Sequence, residues 1–378
     1  MRTLMPIIIL AVIMALLSDH NSTYELDKCG FKKYICKDKI IYFVMTMCMA
    51  IFVGLRTRGN DTFAYKQIYE GIEGGLSSIS SINWTKFSEA PALQLIEIIL
   101  KTINATTQDF LMIFSLFAIS VYLWFIRKYT SNLWLSVYYF ITMGIYTFSM
   151  AAIKQTTAVA FLVIATDRAI QKKWVQFLFW VVIAEMFHPY AFVYLVVPFM
   201  FFSPWSKKTY ILFIGTIIAA LFLKMFMSGI YAMTDMLGYG TSYSSNQFMG
   251  EGVNIFRVLV VFVPVFLSFF LRLYLNKSKD RVNNLILNMT MINAMIMFIG
   301  LFGTANYFAR LANYFLIFQC LSLPWLFQFF DWSTKKVLTV FSCVAFWGYF
   351  YYQMVLAQGA FDYIYAFMSI SDFLKQLF

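Results

Sequence analysis

Twelve apolar runs, most of them long enough to cross a lipid bilayer, follow one another along this 378-residue chain, and basic residues gather in every second gap between them. The runs lie at approximately 4–17, 40–55, 109–126, 133–150, 151–166, 174–187, 190–202, 209–227, 255–275, 283–303, 309–330 and 336–357. A helix that crosses the hydrocarbon needs about 20 apolar residues. The composition leaves no soluble alternative, because 61% of the residues are apolar and only 12% charged. A soluble domain is nearer 45–50% apolar and about 25% charged, and none of this length could bury so much apolar surface. The expected fold is an all-α polytopic membrane protein of about twelve spans (10–12), a single integral membrane domain over 1–378. Secreted, disordered and nucleic-acid-binding classes are excluded.

The formal charge of +11 is mostly a matter of orientation. Seventeen of the 29 Lys and Arg residues fall in six short connections, after the first, third, fifth, seventh, ninth and eleventh runs. Cytoplasmic loops carry such an excess, so these six face the cytoplasm and both termini face outward. The first run has Arg2 ahead of it, but "LLSDHNS" lacks the small-residue pattern of a cleavage site, so the run is read as a span. Cys48, Cys320 and Cys343 sit in apolar runs as small hydrophobes. Cys29 and Cys36 share a Lys-rich loop with no second pair or spaced histidines, an unpromising zinc site. With two histidines in the chain, a His-rich metal enzyme is not expected. No cofactor is expected either, although a divalent cation stays open.

Two outward connections are long. The segment 228–254 carries five glycines with many Tyr and Ser and no Lys or Arg, which suits a lid, a saccharide-contacting surface or a plain connector. The loop 56–108 contains "PALQLIEIILKTI", whose Gln94, Glu97 and Lys101 share one helical face; 91–103 therefore reads as an amphipathic helix lying in the outer interface. The pairs 133–150/151–166 and 174–187/190–202 have almost no polar turn between them, so each is a tight hairpin or a broken, re-entrant element. No clear two-fold similarity relates the halves, which speaks against a transporter built from repeats.

Ionisable groups at the edge of hydrocarbon are functional candidates by default. Outside the basic loops these include Arg56, Arg58, Asp61, Glu89, Lys154, Glu185, His188, Arg257 and Arg310. In this topology Arg56, Arg58 and Asp61, Lys154 with Gln155, His188 and Arg310 all come to the outer ends of their runs. One cationic site with carboxylates and a histidine at the outer leaflet suits transfer on an anionic, lipid-linked substrate. The planar arginine fork grips phosphate oxygens in pairs, and cations fixed on a departing pyrophosphate stabilise its developing charge. His188, Asp61 or Glu89 can take the proton of an attacking sugar hydroxyl, with Glu185, three residues before His188, able to orient the imidazole. Plainer readings exist for each: snorkelling for Arg56, Arg58 and Arg257, a helix cap for Asp61, a satisfied turn residue for His188 and a buried neutral acid for Glu185.

Four stretches then resemble the EpsG/Wzy-type polysaccharide polymerases. They are "GLRTRGNDTFAYKQIYEG" (54–71), with Arg56, Gly59-x-Asp61 and Tyr65; "SEAPALQLIEIILKTINATTQDFLMIFSL" (88–116); the core-like "MAAIKQTTAVAFLVIATDRAIQKKWVQFLFWVVIAEMFHPYAFVYLVVPF" (150–199); and "FARLANYFLIF" (308–318). They run in order over about two thirds of the chain. Lys154 stands where the family usually has Arg, which keeps the charge and loses the fork. The resemblance implies a GT-C-like bundle that polymerises undecaprenyl-pyrophosphate-linked oligosaccharide repeat units into O-antigen, capsular or exopolysaccharide. It would do so at the outer face of the bacterial cytoplasmic (inner) membrane, alongside a flippase and a chain-length regulator. Arg56, Arg58, Lys154, Gln155 and Arg310 would bind pyrophosphate, and Tyr65 and Arg257 are secondary substrate contacts. An O-antigen ligase, or a lipid-linked oligosaccharide flippase or other transporter, is the alternative.

Overall fold

The computed structural model describes residues 1–27, 30–236, 252–302, 305–357 and 361–377. The all-α membrane class holds, with two small two-stranded sheets that periodicity did not foresee. The first part of the chain forms α1 (Met5–His20), a hairpin of β1 (Thr23–Leu26) and β2 (Lys32–Cys36), α2 (Ile40–Gly54), β3 (Arg56–Arg58), α3 (Thr62–Glu70), α4 (Leu76–Ile79) and α5 (Pro91–Thr102). After it come α6 (Thr107–Tyr129), α7 (Leu133–Thr142), α8 (Ile145–Ala151), α9 (Ile153–Ile170), α10 (Trp174–Glu185), α11 (Lys207–Leu221) and α12 (Leu223–Met236). The remaining helices are named by their residues, and β4 (Ala366–Phe367) closes the fold against β3.

Local chemistry sets the boundaries. Thr106 and Asp109 form a reciprocal capping box that starts α6. Pro91 opens α5 at the position where a missing N–H costs nothing. Gly144, at φ +82°, breaks one apolar run into α7 and α8, which meet at 46°. Buried side chains then join helices through backbone carbonyls: Ser136 donates to Cys320, Asn288 to Met200 and Phe202, and Asn293 to Ala312. Such bonds hold helices together where lipid is as apolar as the core. The outer faces are bare hydrocarbon, as at Ile211, Ile214, Ile218 and Leu221 of α11.

The spans are more irregular than twelve uniform crossings. Among the described residues three helices are long and apolar enough to cross a bilayer: Thr107–Tyr129, Arg281–Phe302 and Trp332–Ala357. A fourth results if the bent α7–α8 pair counts as one. The run 190–202 winds as a 3-10 helix over Ala191–Phe199, and 309–330 divides into shorter helices around Leu316–Phe318 and Phe327–Phe329. Of the long connection 228–254, α12 takes the first part to Met236, and 237–251 lies outside the described residues.

The basic clusters come together at one end. Lys37 donates to the carbonyls of Arg127, Lys128 and Thr130; Lys128 pairs with Asp167; Ser203 bonds Ser278; and Arg281 lies over Trp174 and Phe201. These contacts gather basic side chains at one end and leave the opposite end for the residues below. There the Met1 amine pairs with Asp362, and β3 pairs antiparallel with β4.

Candidate active site

The close approach of α2 and α6 sets the first element of the site. A Cβ on Gly54 would come within 2.4 Å of Met112 Sδ, so only glycine lets the two helices meet there. The chain leaves α2 directly into β3 and carries Arg56 inward to 1% exposure. One guanidinium nitrogen, Nη1, donates to the Val53 carbonyl at 2.7 Å and to Ser115 Oγ at 2.9 Å, while Nε has no partner. Burial pulls Arg56 down to about 10, with the Tyr365 and Tyr65 hydroxyls opposing, so it stays charged at neutral pH. Arg56 therefore lies beneath the site as a fixed positive charge, and Arg58 lies exposed at the far end of the strand.

The turn after β3 closes under an aromatic ring. Gly59 has φ +156°, and a Cβ there would fall 2.2 Å from Tyr365 Cδ1. Exposed Asp61 begins α3, and its carbonyl takes the Tyr65 N–H at 3.0 Å. The buried Tyr65 hydroxyl in turn accepts the Lys154 N–H at 3.4 Å, tying α3 to the start of α9. Burial pushes that phenol up to about 12, the Lys154 amide, Arg310 and Arg56 opposing and Asp61 reinforcing. One hydroxyl thus feels Arg56, Asp61 and Arg310 at once. Gln155, next to Lys154, donates to the Arg310 carbonyl at 2.5 Å and fixes the helix that carries Arg310.

His188 enters from the turn after α10. It is buried, and its Nδ1 lies 2.7 Å from the Pro189 carbonyl and 2.6 Å from the Tyr314 hydroxyl. A carbonyl can only accept, so a proton on Nδ1 is held there and leaves Nε2 as the open basic nitrogen. Burial lowers His188 to about 4; Arg310 and Lys154 push the same way, and the Pro189 carbonyl opposes. The imidazole is neutral at physiological pH. Glu185 uses Oε2 to accept the Phe192 N–H at 2.7 Å, which fastens the turn, while the partners of the imidazole Nδ1 are Pro189 and Tyr314.

The geometry brings Arg56, Asp61, Tyr65, Lys154, Gln155, His188 and Arg310 to one region. It does not bring in Glu89, which pairs with Lys86 at 2.6 Å on the surface, or Arg257, which stands against Tyr349 beside a separate cavity. One carboxylate that sequence reasoning passed over joins the cluster. The face of α5 that carries Glu97 turns into the protein, not toward the interface: Glu97 is 1% exposed, one of its oxygens is unpartnered, and Lys154 is the cation acting on it. The Ala92 N–H bonds the Met186 carbonyl at 3.1 Å and so docks α5 on the His188 turn. Lys154, a cation deep in an apolar run, was the signal that such a partner had to exist. Tyr314 and Tyr365 were also missed, since an aromatic near a span end is ordinarily part of the interfacial belt. Among the described residues no three His, Cys, Asp or Glu side chains are grouped to share a metal ion.

Among curated proteins and among solved structures, nothing matches the chain. The model of the EpsG family matches residues 39–367, a stretch that runs from the residue before α2 to β4 and contains every residue of the cluster. The chain belongs to the EpsG family, a family of Wzy-like polysaccharide polymerases.

Proposed function

We propose that this protein is a membrane glycosyltransferase that joins undecaprenyl-pyrophosphate-linked oligosaccharide repeat units into a surface polysaccharide, working at the outer face of the bacterial inner membrane. Family membership supports the polymerase role in general. The observation that carries the rest is a set of three cations at the end opposite the basic loops: Lys154 and Arg310 act on one neutral histidine, and Arg56 acts with Arg310 on Tyr65. That end is the one the positive-inside rule assigns to the outside, and the Met1 amine and β4 lie at it. On this reading the broken and 3-10 segments also cross the membrane, giving ten to twelve passes in a GT-C-like bundle.

In the proposed reaction a hydroxyl oxygen of the acceptor unit attacks the anomeric carbon of the donor sugar. The bond from that carbon to the phosphate oxygen breaks, and undecaprenyl pyrophosphate leaves with the electron pair. Nε2 of His188 takes the hydroxyl proton; Tyr314 and Pro189 hold the ring by Nδ1. Lys154 and Arg310, with Arg58 at the rim, contact the pyrophosphate, and Arg56 acts from beneath through its charge. Charge is thereby met by donors fixed before the leaving group develops it, an effect worth on the order of 10²–10³ in rate for one donor. Asp61 borders the acceptor side and Tyr65 the junction of the two. With three cations present to take phosphate charge, a divalent metal is not required by this scheme. A flippase would supply the substrate and a chain-length regulator would set the product, both as partners in the membrane.

The test replaces Arg310, His188 or Arg56 by Ala in the producing strain and scores surface polysaccharide by chain length. Loss of the ladder with single repeat units retained is expected. Loss of single units as well would indicate a ligase, and accumulation of substrate on the cytoplasmic side a flippase. Wild-type ladders from all three variants at normal expression would overturn the assignment.

A further inference from the structure

Beside the cluster lies a second polar space that the transfer step leaves unused. A cavity of about 100 Å³ is lined by Asn60, Thr142, Gly144, Arg257, Asn313 and Tyr365 among others. A smaller one, of about 20 Å³, reaches Asn293 and Gln319 and shares Arg257, Asn313 and Tyr349 with it. Both border Met143, at the bend between α7 and α8. Non-helical backbone within a membrane protein is tolerated where it is covered by protein or lines a wet cavity, so the break and the cavity explain each other. Three neighbours in sequence join this space to the cluster. Asn60 precedes Asp61, Asn313 lies one helical turn beyond Arg310 on Ala305–Asn313, and Ala151 stands three residues before Lys154.

The smaller cavity carries an unmet polar group. Gln319 is fully buried and donates its amide to the Val261 carbonyl and to Asn293 Oδ1, both at 3.0 Å, while its Oε1 has no partner. A buried acceptor left without a donor is a cost that an entering hydroxyl removes. The rest of the lining has the same character: planar amides at Asn60 and Asn313 offer adjacent donors and acceptors, Arg257 offers only donors, and Tyr365 presents a ring.

We propose that this cavity, between the α7–α8 bend and the Arg310 helix, is a glycosyl subsite that receives one terminal sugar ring of the substrate. Its volume of about 100 Å³ is far below the roughly 300 Å³ at which pockets begin to hold drug-sized ligands, so it excludes a whole repeat and leaves room for no more than one ring. Vicinal hydroxyls meet the amides of Asn60 and Asn313 and the Arg257 guanidinium, and Gln319 Oε1 accepts a hydrogen bond from whichever hydroxyl extends toward the smaller cavity. The ring comes either from the non-reducing end of the acceptor or from the donor sugar next to pyrophosphate. This inference rests on the polymerase reading, and the test separates the two.

The probe is the repeat-unit oligosaccharide freed of lipid and phosphate by mild acid, taken from cells that lack the polymerase. Its binding to the full chain in lipid nanodiscs is followed by saturation-transfer NMR for wild type, Asn313→Leu and Asn60→Gly. The second variant sits in an exposed turn at φ +20°, where glycine is well tolerated, and so keeps the fold. At least tenfold weaker oligosaccharide binding is expected in both variants, with binding of undecaprenyl pyrophosphate alone unchanged. In turnover, a higher KM for the acceptor unit at constant kcat identifies the acceptor as the source, and a higher KM for the donor identifies the donor. Wild-type oligosaccharide binding and unchanged KM values in both variants would overturn the subsite. Absence of any polymer from the wild-type enzyme with intact lipid-linked substrate, binding notwithstanding, would instead count against the polymerase reading.

Discussion

Replacing Glu97 by Gln should stabilise the protein, and more at pH 8 than at pH 5.5. Burial raises the Glu97 carboxyl from 4.5 to about 7, with Lys154 opposing the rise. Because the folded value lies above the unfolded one, the folded state holds this proton more tightly. The penalty is absent well below pH 4.5, grows as pH rises, and is complete above about 7. At ~1.4 kcal/mol per pH unit the whole penalty is roughly 3 kcal/mol, and roughly 2 kcal/mol of it develops between pH 5.5 and 8. Gln keeps the shape without the charge, so whatever its amide gains or loses in hydrogen bonding is the same at both pH values and cancels. Thermal unfolding of the purified protein in detergent should show Glu97→Gln gaining about 4 °C more over wild type at pH 8 than at pH 5.5. Lys154→Met should have the opposite effect on the wild-type carboxyl, removing the one attraction that offsets burial and deepening the loss at pH 8. An equal gain for Glu97→Gln at both pH values, or a greater loss at pH 8, would mean that Glu97 is a stable ionised partner of Lys154 and would refute the reasoning.

Gly59→Ala should drive its new methyl into the Tyr365 ring, whose nearest atom is 2.2 Å from that position, and shorten or abolish the polymer ladder; adding Tyr365→Ala should relieve the clash but leave the strain of a side chain at φ +156° and remove a buried aromatic, so the melting temperature should stay below wild type. Arg56→Met should lower thermal stability by roughly 1–3 kcal/mol, because the Val53 carbonyl and Ser115 lose a buried donor. Arg310→Ala, on an exposed side chain, should cost turnover and less than about 0.5 kcal/mol of stability. His188 titrates in the folded protein at about 4, below its ordinary value, so its base form persists as pH falls through 6.5 and is lost only near 4. The acid limb of kcat assigned to it should lie there, and Tyr314→Phe should shift that limb while leaving donor KM unchanged.

The gathering of the basic loops at one end was legible because charge at a bilayer surface is sorted by sign, and Lys37, Lys128 and Arg281 make their contacts together at that end. Arg56, Lys154 and Arg310 stood out for the converse reason, as cations on the end that should lack them, and Asp61 and His188 as ionisable groups at the edge of hydrocarbon. What spacing could not supply is direction. Gln94, Glu97 and Lys101 share a helical face, but whether the face carrying Glu97 meets water or protein depends on Lys154, which lies 57 positions later in the numbering. The same holds for Tyr365, whose ring covers the Gly59 turn only because β4 returns to pair with β3, and for Tyr314, which reads as belt until His188 is placed beside it. The irregularity of the runs was not legible, because hydropathy does not register φ at Gly144 or the 3-10 winding of Ala191–Phe199. The direction of Glu97 has a physical root, the cost of charge in a medium that cannot solvate it. That cost turned Glu97 toward Lys154 and drew Ser115 and the Val53 carbonyl around Arg56. It leaves Arg310 as the exposed cation of the three and gives the site an unbalanced positive charge, the condition under which an anionic leaving group is held most strongly.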